Sequence, residues 1–298
     1  MGAGKSKLLR GSLRKLYGGN NVRLGYFLFV LLLGGCSHGA AEFQSYRQAY
    51  EAQYVEAAKV LDQVATAERI IVERSFKSQP GVRAFNPDEA RYYIAVGDPP
   101  LTGAIRASVD ALKDYNDALS GLVTGEAAAT LRSELAAANN ALAGSLGALA
   151  GASGVDAAFA TALGGAIGKA IPVLEVLERA GNRIAFREQL VRAYPAMKQL
   201  MLELRDGTPQ MFEVVERSFV TPGSLGLGPT RMTADKQARL AEFRQLLAGW
   251  VLLIDESVRA MDMAVYAAAT QANSPDLSSL IEASVEIRVL SEAIKAAR

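Results

Sequence analysis

The chain holds one thiol and one imidazole, Cys36 and His38, two residues apart. Together these types are the raw material of a nucleophile and its general base, because an imidazole helps to generate the reactive thiolate. Here both stand at the foot of the apolar run Tyr26 to Leu33, just after Gly34-Gly35. That is no setting for a dyad, and His38 reads as a solvated tether residue. The clustered Cys and His of a zinc site are absent, as are the paired Glu-x-x-His motifs of a helical di-iron site. Acid–base candidates remain in Asp255, Glu256 and Asp262. Asp255 and Asp262, seven residues apart, share a helix face. Two acids so spaced read as a solvated stripe, with Arg244 and Arg259 as ordinary pairing partners. No catalytic residue, metal ligand or dissociable cofactor is therefore expected, and the chain is expected not to be an enzyme.

Charge narrows the partners. Of 32 basic residues, six (Lys5, Lys7, Arg10, Arg14, Lys15 and Arg23) lie in the first 35 positions, which contain no acid. The remainder carries 26 bases against 31 acids, a net charge of −5 that hides behind the overall +1. A mildly acidic body without a basic run argues against nucleic acid, whose phosphates need clustered Lys and Arg.

The basic stretch to Arg23, the apolar block Leu24 to Leu33 and the small residues after it have the layout of a secretory signal peptide. The block has about ten residues, half of what a bilayer-spanning helix needs. Leu33-Gly34-Gly35-Cys36 resembles the lipobox of bacterial lipoproteins: an aliphatic residue, two small ones, then cysteine. The resemblance covers only the leader, residues 24–37. It implies signal-peptidase recognition at Leu33, Gly34 and Gly35, cleavage before Cys36, and a covalent diacylglyceryl and N-acyl lipid on Cys36. The mature chain would have 263 residues. The long basic region before the block departs from the usual pattern and suggests a start codon further upstream than usual. Ser37, where inner-membrane retention in enteric lipoproteins takes Asp, implies the periplasmic face of the outer membrane. Two or more acyl chains hold a soluble body stably at a bilayer, where one does so only marginally.

Stepping along the chain after a short tether at 36–40 gives the elements of the body, 41–298. Phe43, Tyr46, Tyr50, Tyr54, Ala57, Leu61, Val64 and Ile71 recur every three or four residues, which predicts a helix from Phe43 to about Phe76. The tether reaches only about 14 Å when extended. Residues 78–100 are broken by Pro80-Gly81, Asn86-Pro87 and Pro99-Pro100; a helical turn through Tyr92-Tyr93, or a strand over 92–96, is expected there. Further helices are predicted through Ile105 to Leu122, Leu131 to Leu149, Phe159 to Leu177, Arg183 to Arg205 and Gln210 to Phe219. Pro172 and Pro195 are expected to kink or break theirs. A Gly/Pro loop over 221–232 leads to a helix of roughly 38 residues capped by Thr233, with near-heptad apolar spacing from Leu240 to Ala268. A last helix is predicted over 277–297. The fold class is all-α: an elongated helical bundle with two long helices and irregular loops.

Two stretches invite a functional reading. Tyr46, Tyr50 and Tyr54 form a stripe near the lipid, a candidate contact for headgroups or a protein partner; the alternative is that they close the core. Residues 142–174 hold seven glycines and only two charges, Asp156 and Lys169. They suit a hairpin packed tightly between bulkier helices, or one that inserts into a membrane. The expected function is a membrane-anchored, non-enzymatic interaction or scaffold protein of the bacterial envelope with a protein partner; a pore-forming-like protein or a carrier of an apolar ligand are the alternatives.

Overall fold

Apolar residues at threes and fours leave helix as the only economical way to bury them, and helices are what form. The computed structural model describes residues 40–78, 87, 90–94, 96–124, 128–150, 156–179, 183–220 and 232–270. The chain divides into two compact units, Met1–His38 and Gly39–Arg298, and every described residue lies in the second. That unit contains α1 (Ala40–Ser78), α2 (Ala90–Tyr93), α3 (Pro100–Thr124), α4 (Ala128–Ala150), α5 (Ala157–Glu178), α6 (Arg183–Asp206), α7 (Thr208–Phe219) and α8 (Ala234–Thr270). No strand occurs among the described residues. The fold class is all-α, as expected.

α1 has 39 residues and α8 has 37, so each runs about 57 Å at 1.5 Å per residue. They share the most extensive helix–helix contact, while α3 to α6 pack each on the next in chain order. One core runs through them. Phe43, Val60, Leu61 and Val64 of α1 meet Ile105, Leu112 and Leu119 of α3 and Phe243, Trp250 and Ile254 of α8, all essentially buried. Full burial of each large aliphatic or aromatic side chain contributes about 1.5–3 kcal/mol.

Local chemistry sets the boundaries. Asp156 ends the entry to α5 as its cap, its carboxylate accepting from the N–H groups of Ala158 at 2.8 Å and Phe159 at 3.0 Å. Thr233 does the same for α8, its hydroxyl accepting from the Lys236 N–H at 3.4 Å. Pro172 and Pro195 lie inside α5 and α6 without ending either helix. Both are on exposed faces, where the carbonyl each proline leaves unpaired can reach water.

Residues 92 and 93 are helical, so the strand alternative is not taken. Tyr92 turns inward and Tyr93 stacks on Phe76 at 5.2 Å. The turn that follows uses Gly97 at φ +77°, a conformation few other residues tolerate, and Arg69 donates to its carbonyl. Residues 79–86, 88 and 89 of the irregular stretch expected at 78–100, the Gly/Pro loop expected at 221–232 apart from Met232, and the helix predicted at 277–297 lie outside the described residues.

Candidate functional site

α3 starts badly on its own. Pro99 and Pro100 offer no side-chain oxygen to cap the first N–H groups. The acceptor comes from α1. Glu68, 2% exposed, takes hydrogen bonds from the N–H of Leu101 and of Thr102, both at 3.1 Å, and from the hydroxyls of Thr102 and Tyr92, both at 2.9 Å. Burial pushes its carboxyl up, and these four donors pull the other way. Sequence reading missed this residue, though a signal existed: Glu68 falls four residues after Val64, on the apolar stripe itself.

With α3 fixed this way, its outer side and α4 enclose a groove of about 430 Å³. The floor is small: Ala104 and Ala107 from α3, Ala141, Gly144 and Ala148 from α4. Adding a Cβ to Gly144 would meet nothing within 4 Å. The rim is charged. Arg106 donates to Asp98 at 2.6 Å and to Asp62 at 2.8 Å, which tethers the 97–99 turn to α1 and α3. Asp110 accepts the Tyr54 hydroxyl at 2.9 Å. Asp114 lies one turn further along α3. Burial lifts its carboxyl to about 6; Lys113 opposes this, and Asp110, Asp117 and Glu134 add to it.

Of the two readings of the tyrosine stripe, Tyr46 and Tyr50 follow the one in which they close the core. Tyr46 and Tyr50 are 0% and 1% exposed, with the Tyr46 ring in tilted contact with Phe43 and Tyr50. The Tyr50 hydroxyl donates to the Val109 carbonyl at 2.6 Å, and Tyr54 reaches Asp110. Their four-residue spacing follows the core face of α1, because α3 and α8 cover that face. Burial raises the ionisation of Tyr46 and Tyr50 well above the usual range for phenols.

Several buried polar atoms nearby lack partners: the hydroxyls of Tyr46 and Tyr115, both amide atoms of Gln53 and of Asn116, and the Trp250 indole nitrogen. Tyr46 and Asn116 approach each other without hydrogen-bonding geometry. A buried hydroxyl with no partner contributes nothing and carries a desolvation cost. Tyr46→Phe is therefore expected to leave stability unchanged or raise it by about 1 kcal/mol in a urea titration. A loss of that size would show that the hydroxyl is partnered after all.

Asp255 and Asp262 do not converge on a shared proton. Asp255 accepts from Arg205 at 2.6 Å and Asp262 from Lys198 at 2.8 Å and Tyr194 at 2.8 Å, which binds α8 to α6. Arg259 pairs with Glu256 at 2.6 Å, but Arg244 lies over the Phe212 ring at 4.9 Å instead of on an acid. Among the described residues no group of three or more His, Cys, Asp or Glu is placed to hold a metal ion. Cys36, His38, Leu33, Gly34 and Gly35 lie outside the described residues.

The Ala/Gly-rich hairpin is half of what was expected. Its inner face (Leu142, Leu149, Phe159, Leu163, Ile167 and Leu174) enters the core. Its outer face, with Ala143, Gly144, Gly147, Gly165 and Gly168, is exposed rather than wedged between bulkier helices. Within it α5 is, among the described residues, the one helix long and apolar enough to cross a membrane, with 33% of its apolar window buried. No protein-family model, curated protein sequence or solved structure matches the chain.

Proposed function

We propose that this protein is a bacterial envelope lipoprotein: a helical body held at a membrane by lipid on Cys36, which binds a protein partner and makes or breaks no covalent bond itself. The observation that carries the reading is the junction between the 33–36 motif and α1, which begins at Ala40, four residues after the cysteine. A body tied so closely to its lipid works at a membrane surface.

The interaction half of the reading is supported by three exposed apolar residues close together in sequence. Tyr93, Ile94 and Val96 are 41%, 56% and 77% exposed, beside the Phe76–Tyr93 stack. Scattered surface apolar residues mean little, but several adjoining ones mark a contact surface. Phe76 stands 36 residues into α1, about 54 Å along the helix from its start. Within the helical body, the patch thus lies at the opposite end of α1 from Ala40.

Cys36→Ser tests the anchor. The variant is expected to leave the membrane fraction, to remain uncut and to incorporate no alkyne-labelled fatty acid. A chain that stays membrane-bound and correctly processed would remove the lipoprotein reading. A photo-crosslinking residue at Val96 is expected to capture a discrete envelope protein in cells, and no capture from that position would leave the patch without a partner.

A further inference from the structure

Among the described residues, the groove between α3 and α4 carries one charge of each sign that no ion pair neutralises. Arg91 meets no ion-pair or hydrogen-bond partner among them, and its guanidinium lies on the groove rim, 3.7 Å from where a Cβ on Gly103 would stand. Asp110 accepts the Tyr54 hydroxyl and, among the described residues, meets no cation within ion-pair distance. The other two charges on the rim, Arg106 and Asp98, are already satisfied by each other and by Asp62. An opposite charge from a ligand is the contact still open to Arg91 and to Asp110.

Their separation sets the ligand's length. Gly103, beside Arg91, and Asp110 are seven residues apart on α3, a rise of about 10 Å. Three extended peptide residues cover about the same distance. Between the two ends the floor presents the methyl groups of Ala104, Ala107 and Ala141 and the bare backbone of Gly144. Such a floor accepts small side chains without reading them. The Asn140 amide, exposed on the α4 rim, offers a donor and an acceptor to a peptide group. A volume of about 430 Å³ is toward the small end of what ligand sites use.

We propose that this groove binds a short peptide with free termini, two or three small residues long, with its carboxylate on Arg91 and its ammonium on Asp110. The site recognises the two ends and not the sequence between them. It goes beyond the anchor and scaffold reading and does not depend on it, since a Cys36→Ser chain keeps every residue involved.

Calorimetric titration of the full chain with tri-alanine, N-acetyl-tri-alanine and tri-alanine amide tests this. Tri-alanine is expected to bind, and blocking either end to weaken it at least about tenfold. Arg91→Ala is expected to lower tri-alanine affinity to that of the amide, and Asp110→Asn to that of the acetylated peptide. Gly144→Leu, at an exposed position, is expected to fill the groove and abolish binding while leaving the helical circular dichroism intact. Absence of heat from tri-alanine up to roughly 10 mM would overturn the proposal. So would equal binding of a blocked peptide, or wild-type binding by the exposed-site variant Arg91→Ala.

Discussion

Glu68→Ala is expected to lower the stability of the folded chain by about 3 kcal/mol or more, among the largest effects of any single substitution here. The change removes one carboxylate and leaves four donors facing a hole. Each buried donor left without an acceptor costs about 1–3 kcal/mol, reduced where the structure can relax or admit water. Tyr92 and Thr102 can swing their hydroxyls elsewhere; the N–H groups of Leu101 and Thr102 cannot, because two prolines precede them. In a chain this size the loss corresponds to roughly 6–12 °C in melting temperature. Glu68→Gln separates shape from charge. It keeps one acceptor oxygen but turns an NH₂ toward other donors, so an intermediate loss is expected. A drop under about 1 kcal/mol for the alanine variant would mean that the start of α3 is held by something else. Hydrogen exchange adds a local check: Leu101 and Thr102 should lose protection before the middle of α3 does.

Gly207→Ala is the second large effect, and its cause is different. Gly207 joins α6 to α7 at φ −79°, an ordinary conformation for any residue. No backbone argument demands glycine there. What demands it is the Phe159 ring, which occupies the space an added Cβ would need. Phe159 is itself buried, 6% exposed, so the ring cannot simply rotate out into water. Overpacking of this kind costs about 1–3 kcal/mol, and Gly207→Val should exceed alanine. The diagnostic measurement is a double-mutant cycle. Phe159→Leu alone should destabilise, yet Gly207→Ala on that background should cost far less than in the wild type, giving a coupling of about 1–2 kcal/mol. Additive losses would show that the two residues do not compete for the same volume.

These two residues mark the boundary of what the sequence discloses. Helix positions were legible because burial follows a period of about 3.6 residues, and Phe43 to Ile71 or Leu240 to Ala268 keep to it without interruption. The Thr233 cap was legible because a cap acts on its own chain neighbours. Glu68 and Phe159 act on residues 33 and 48 positions away; an acid on the apolar stripe marks Glu68 as unusual, but no local pattern says which residues either one meets. The tyrosine stripe illustrates the same point. Its spacing said that Tyr46, Tyr50 and Tyr54 share a face, but whether that face looks outward depends on α3 and α8. The partners of Asp255 and Asp262 were likewise set by the neighbouring α6, which supplies Arg205 and Lys198 in place of the arginines on their own helix. The groove was hidden in a different way. Ala and Gly read equally well as close packing and as empty space, and only the arrangement of α3 against α4 decides between them.

The contact between α1 and α8 has a consequence for how the protein is made. The ribosome completes α1 about 190 residues before it completes α8, an interval of roughly 10–40 s at ordinary elongation rates. Throughout that time the apolar stripe of α1 lacks its main cover, and the intervening helices can shelter only part of it. Apolar surface left open for that long makes an incomplete chain prone to aggregate until Thr270 has emerged and α8 can cover α1.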